Sequence, residues 1–96
     1  QSFYPRWHGT LALLQQNLVE TSRRYKKPVM VVETGYPQSG GDQVMTGNKY
    51  NLWPGPQEGQ LQFMVDLSYT VKRAGGTGVF YWAPEGSLGN GMWNPD

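Results

Sequence analysis

Glu33 is the residue of this chain best placed to do chemistry. It closes the run K-P-V-M-V-V-E-T-G-Y-P (Lys27 to Pro37), in which four apolar residues, three of them Val, stand unbroken from Val29 to Val32. β-Branched residues favour the pleated state, and Pro28 is tolerated at the first position of a strand. A short apolar run bounded by Pro and Gly predicts a strand covered on both faces, as in a parallel sheet. Alternation then predicts Val29, Val31 and Glu33 on one face, with Met30, Val32 and Thr34 on the other. A carboxylate at the C-terminal end of a parallel strand sits where α/β folds place their chemistry. The plainer alternative is a solvated charge that ends a strand.

Several chemistries can be weighed against the residues around it. Retaining sugar hydrolysis needs two carboxylates about 5–5.5 Å apart, one attacking the anomeric carbon and one protonating the departing oxygen. Glu33 suits the first role. The local candidate for the second, Glu85, follows Ala83-Pro84 in a loop and reads better as a solvated acid. Trp rings suit sugars because a pyranose presents an apolar C–H face. Asp42 and Asn48, with nearby loop carbonyls, offer hard oxygen ligands for Ca²⁺, although no EF-hand spacing is present. His8 has no second His to share a metal with, and Ser/His/Asp catalysis has no nucleophile-elbow motif to support it.

The elements that must carry these residues alternate along the chain. Gln1 to Pro5 reads as the end of a strand, and Arg6 to Gly9 as a short loop. Thr10 is an N-cap for a helix reaching Tyr25, with Leu11, Leu14, Leu18 and Tyr25 along one face and Val19 beside them. Lys26 and Lys27 complement its dipole, and Pro28 stops it. Residues 35–56 form a long Gly-, Asn-, Gln- and Pro-rich loop. Loops of that length are uncommon unless functional or disordered, and Tyr36, Tyr50 and Trp53 favour function. A second helix runs from about Gln57 to Ala74, with Leu61, Met64, Leu67, Val71 and Ala74 as its apolar stripe. Gly78 to Trp82 is the next strand, with Gly78, Phe80 and Trp82 on one face. A Gly- and Asn-rich tail containing Trp93 follows.

Strand, helix, strand, helix, strand is the order of a parallel sheet with right-handed crossovers. Tyr4, Trp7 and His8, then Glu33, then Trp82 and Glu85 all fall after strand ends, which is the rim logic of a (β/α)₈ barrel. Such a barrel needs about 200 residues or more; with 96 residues, this chain is expected to be one part of a single domain. Eight Lys+Arg against seven Asp+Glu, with no basic run, point to neither nucleic acid nor an anionic membrane surface. No apolar stretch approaches the length of a membrane span. The absence of Cys excludes disulfides and thiolate metal sites. Four Trp and six Tyr exceed what so small a core requires and suit a ligand-facing surface.

Four motifs, in order, carry a family resemblance across nearly the whole chain: F-Y-P-R-W-H-G-T-L (Phe3 to Leu11), K-P-V-M-V-V-E-T-G-Y-P (Lys27 to Pro37), E-G-Q-x-Q-F (Glu58 to Phe63) and G-V-F-Y-W-A-P (Gly78 to Pro84). The sequence resembles the endo-β-1,4-galactanases of glycoside hydrolase family 53. The resemblance implies an α/β fold, the C-terminal part (about strands six to eight) of a (β/α)₈ barrel. Residues 1–96 would be a fragment of one catalytic domain that hydrolyses the β-1,4-galactan of pectin side chains with retention of configuration. It implies Glu33 as nucleophile, Trp82 beneath the sugar at the cleavage point, and Tyr4 and His8 near the nucleophile, with Tyr4 as hydrogen-bond partner to Glu33. Trp7, Trp53 and Trp93 are implied as sugar contacts. It also implies a secreted enzyme that requires no cofactor, and a structural calcium in some bacterial members, for which Asp42 and Asn48 are the candidates here. Two departures stand out. Ala83 replaces a Glu that the family carries after this Trp, and nothing here matches the Asn-Glu pair that supplies the acid/base. The chain alone is therefore expected to be inactive. A half-barrel that binds carbohydrate without cleaving it, or another retaining β-glycanase of the same barrel type, are the alternative readings.

Overall fold

The computed structural model describes residues 1–5, 8–36, 57–84 and 92. Three short parallel strands, β1 (Ser2–Phe3), β2 (Val31–Thr34) and β3 (Val79–Tyr81), lie in the order β1-β2-β3. Two helices join them, α1 (Leu11–Tyr25) and α2 (Gln57–Arg73). Leu14 and Leu18 of α1 share a core with Phe63, Leu67 and Val71 of α2 and with Phe3 and Val31 of the strands. Both helices therefore cover the same face of the sheet. Progressive strand order with helices on one face is the winding a barrel requires, whereas a doubly wound sheet sends its helices to both faces.

The helix boundaries follow local chemistry. Thr10, in an extended conformation, accepts the Leu13 N–H through Oγ1 at 3.2 Å and starts α1. The expected stop at Pro28 comes earlier. Lys26 adopts the left-handed conformation (φ 53°), and its N–H and that of Lys27 both close on the Ser22 carbonyl. At the end of α2, Gly75 (φ 78°) and Gly76 donate to the carbonyls of Lys72 and Val71.

Three expectations about packing are corrected. Tyr25 and Val19 lie exposed on α1, so its buried stripe is Leu14 and Leu18, with Leu11 at the core's edge. On α2, Leu61 is 68% exposed, and the buried stripe runs Phe63, Leu67, Thr70 and Val71, one step around from the expected line. Phe63 sets that register because it is stacked between Phe3 (centroids 6.4 Å apart) and Tyr36 (5.2 Å). Tyr36 is accordingly a core residue rather than a ligand-facing one.

The third correction concerns β2, which does not alternate regularly. It pairs Val31 with Val79 and Thr34 with Tyr81, so three steps on β2 face two on β3 and a bulge lies between. Val31 and Thr34 are both fully buried beneath the helices. Val32 and Glu33 both turn to the other face, where Val32 is 51% and Phe80 60% exposed. A regular pleat would separate Val32 from Glu33. The extra residue of a bulge is what allows two neighbours to share a face. The strand is thus covered on one face and, at Val32, open on the other.

Candidate active site

The open face of the sheet carries Ser2, Tyr4, Val32, Glu33, Phe80 and Trp82. The pairings Ser2 with Glu33 and Phe3 with Thr34 fix this assignment, because partners across a parallel ladder point the same way and Phe3 and Thr34 are buried under the helices. Thr34 locks the register: its hydroxyl donates to the Phe3 carbonyl at 2.6 Å. At the C-terminal rim, Glu33 is the only carboxylate on this face among the described residues.

Tyr4 is the group that meets it. Its side chain is buried, and its hydroxyl lies against the Glu33 carboxylate. Burial pushes the phenol up, and the negative charge and hydrogen bond of Glu33 push it further, to about 12. The phenol therefore stays protonated, and stays a donor, throughout the neutral range. His8 holds Tyr4 from behind. Its Nδ1 accepts the Tyr4 backbone N–H at 2.9 Å, and its own N–H donates to the Tyr4 carbonyl at 2.9 Å.

A second polar cluster stands at the same rim on the helix-covered side. Tyr81 accepts the Tyr36 N–H at 3.0 Å and donates to the Tyr36 carbonyl at 2.9 Å. The Gln60 amide donates to that carbonyl at 3.1 Å and to the Tyr81 hydroxyl at 3.0 Å. Burial raises the Tyr81 phenol, with the bonds from Tyr36 and Gln60 pulling the other way. Gly59 gives this cluster its space. A Cβ there would lie 2.8 Å from the Tyr36 hydroxyl, so the glycine that weakens the first turn of α2 admits the Tyr36 ring. Neither Gln60 nor Tyr81 stood out in the sequence. A Gly-Gln pair opening a helix was the available signal, and its meaning depended on a partner 24 residues away.

Trp82 follows Tyr81 and so points to the open face, where it is 45% exposed. Its N–H donates to the Thr34 carbonyl at 2.8 Å, tying the exit of β3 to the end of β2. Ala83, next in line, takes the left-handed conformation (φ 49°). The structure thus brings Glu33, Tyr4, His8 and Trp82 to one rim. Trp7, Trp53, Trp93, Glu85, Asp42 and Asn48 lie outside the described residues. Among the described residues no three His, Cys, Asp or Glu gather to hold a metal ion, and no helix is long and apolar enough to cross a membrane. A groove of about 720 Å³ runs along the outer face of α1, past Leu13, Gln16 and Glu20, and contains none of the rim residues.

Comparison with known proteins agrees with the motifs. The model of glycosyl hydrolase family 53 matches residues 1–93. An arabinogalactan endo-β-1,4-galactanase of Cellvibrio japonicus is 38% identical over 90 residues, covering 86% of this chain and 24% of its own. An endo-β-1,4-galactanase of Bacillus subtilis is 37% identical over 91 residues, covering 86% and 21%. A solved fungal β-1,4-galactanase superposes with a TM-score of 0.78 at 29% identity, covering 97% of this chain and 32% of its own. The chain spans about a quarter of the length of the curated relatives it matches. With the family model matching this chain nearly from end to end, the chain belongs to glycosyl hydrolase family 53.

Proposed function

We propose that this chain is the C-terminal part of a secreted endo-β-1,4-galactanase, with β1, β2 and β3 as strands six to eight of a (β/α)₈ barrel and Glu33 as the nucleophile. The observation that carries the reading is the bulge in β2, which turns Glu33 onto the open face against the Tyr4 hydroxyl. The substrate class rests on the galactanases that the chain resembles over most of its length.

In this reading Glu33 attacks the anomeric carbon of a galactosyl unit, forming a covalent glycosyl-enzyme. A second carboxylic acid, supplied from elsewhere in the barrel, gives its proton to the departing oxygen and then takes one from the attacking water. The Tyr4 hydroxyl holds the carboxylate in its attacking orientation. Trp82 offers an indole face to the sugar, and Trp7, Trp53 and Trp93 extend the aromatic lining. Two carboxylates and a water balance the reaction without a cofactor. Asp42 and Asn48 remain candidates for a structural calcium outside the chemistry.

Glu33 is the only carboxylate on the open face among the described residues, and this reading takes the second from elsewhere in the barrel. The test is galactan hydrolysis by the full-length enzyme that carries this segment. Glu33→Gln is expected to reduce kcat by roughly 10⁴–10⁶-fold, the scale on which removal of a nucleophile acts. Hydrolysis that survives the substitution would assign the nucleophile elsewhere. Oligosaccharide binding without turnover by the unsubstituted full-length protein would favour an inert carbohydrate-binding barrel, and turnover of β-glucan or mannan in place of galactan would favour another retaining glycanase.

A further inference from the structure

We propose that His8 is a positioning residue for the Tyr4–Glu33 pair, acting through the backbone of Tyr4. The inference rests on the reading of Glu33 as the reacting carboxylate and adds a residue behind it. Tyr4 stands one residue past the end of β1, whose last ladder pair is Phe3 with Thr34. Gln1 and Phe3 turn their carbonyls to β2, so the Tyr4 N–H points to the other edge of β1, and a buried donor is costly unless something accepts from it. Pro5 adds no donor and restricts Tyr4 to an extended backbone. His8 resolves both ends of the problem. Its ring nitrogen takes the Tyr4 N–H and its backbone N–H takes the Tyr4 carbonyl, each at 2.9 Å.

The ring is also placed by contact. Its centroid lies 6.4 Å from that of Phe3 and 6.2 Å from that of Tyr4, tilted about 40° to each. A histidine accepting at Nδ1 must carry its proton on Nε2, so the hydrogen bond to Tyr4 selects the tautomer as well as the orientation. Tyr4 has one polar side-chain atom, and that atom meets Glu33. A change in the Tyr4 backbone is therefore transmitted directly to the carboxylate.

The acceptor position separates this role from a direct sugar contact. His8→Asn places an amide oxygen close to the place of Nδ1, whereas His8→Gln places its amide near that of Nε2. In the full-length enzyme, His8→Ala and His8→Gln are expected to lower kcat about 10- to 100-fold, the cost of a small misplacement at the reacting centre, with KM nearly unchanged. His8→Asn should restore most of it. The second readout is the Tyr4 phenol, followed by NMR of ring-labelled tyrosine and assigned with Tyr4→Phe. Its titration should move toward the ordinary tyrosine value in the Ala and Gln variants and return in the Asn variant. Rescue by Gln instead of Asn, or a rise in KM at constant kcat, would overturn the proposal in favour of a sugar contact. An unmoved Tyr4 titration in every variant would also overturn it. Failure of the nucleophile reading shows separately, as activity retained by Glu33→Gln, and leaves the titration readout intact.

Discussion

Tyr4 and Tyr81 stand at the same rim, on strands either side of β2, and their hydroxyls have opposite surroundings. Tyr81 lies on the helix-covered side, among internal partners: it accepts from the Tyr36 N–H and Gln60 and donates to the Tyr36 carbonyl. Tyr4 lies on the open side and gives its hydroxyl to the Glu33 carboxylate. The first arrangement clamps a backbone, and its loss leaves buried groups unpaired. The second holds a charge toward the space a substrate would occupy, and its loss is felt in reactivity. The pleat alone makes the distinction. Two tyrosines one strand apart become a structural group and a site group according to which face they are turned to.

The largest expected effect on stability follows from the covered side. Tyr81→Phe strips the Tyr36 N–H and the Gln60 amide of a shared acceptor and should cost about 1–3 kcal/mol in urea unfolding, the penalty of leaving part-buried polar groups unsatisfied. Tyr4→Phe in the same experiment should cost clearly less while lowering kcat of the full-length enzyme. Equal costs for the two would break the contrast. Gly59→Ala tests the covered side differently, because alanine favours the helix by about 1 kcal/mol yet its Cβ meets the Tyr36 hydroxyl at 2.8 Å. The overpacking should win, with net destabilisation of about 1 kcal/mol or more and a chain that melts earlier.

Alkali sharpens the comparison on the open side. The folded chain holds the Tyr4 proton to about pH 12, whereas an unfolded tyrosine releases it near 10. A pKa raised by folding contributes stability that is complete below the unfolded value and is lost as pH rises through the folded one. Stability should therefore decline between about pH 10 and 12. Glu33→Gln, which removes two of the causes of the shift, should narrow that window and leave the Tyr81 titration in place; a window of unchanged width would mean that burial and the neighbouring Tyr81 set it without Glu33. The smallest effect belongs to Ala83. Its left-handed backbone (φ 49°) suits glycine, so Ala83→Gly should stabilise by about 0.5–1 kcal/mol in thermal melts. No change in melting would place that strain elsewhere.

Much of the architecture was legible in the sequence because its signals are local. Thr10 caps the helix that its hydroxyl predicts, the Gly pair closes α2, and the apolar run before Glu33 is a strand. Glu33, Tyr4 and His8 were legible as rim residues for the same reason, since each follows a strand end. What escaped depends on pairs distant in sequence. The stripe of α2 is set by Phe63 fitting between Phe3 and Tyr36, and Leu61 obeys the same spacing equally well. Tyr36 read as a loop aromatic because nothing in its own neighbourhood shows that Gln60 and Tyr81 enclose it. The face of Glu33 was the subtlest case. Alternation counted from Val31 places both on one side, and only the pairing with β3 reveals the additional step between them.

That additional step gives the strand a counting rule. Upstream of it, Val31 is in phase with the helices. Downstream, Thr34 has the same phase although an odd number of steps separates the two. Substitutions that preserve apolar character at Val32 leave the count intact, but deleting one residue there would restore an even rhythm. Val31 and Thr34 would then keep their phase over two regular steps, and Glu33, as the single residue between them, would stay on the open face without the kink of a bulge to aim it. For this short segment, the additional residue bends the strand and so governs aim, while its two buried flanks keep their phase with or without it.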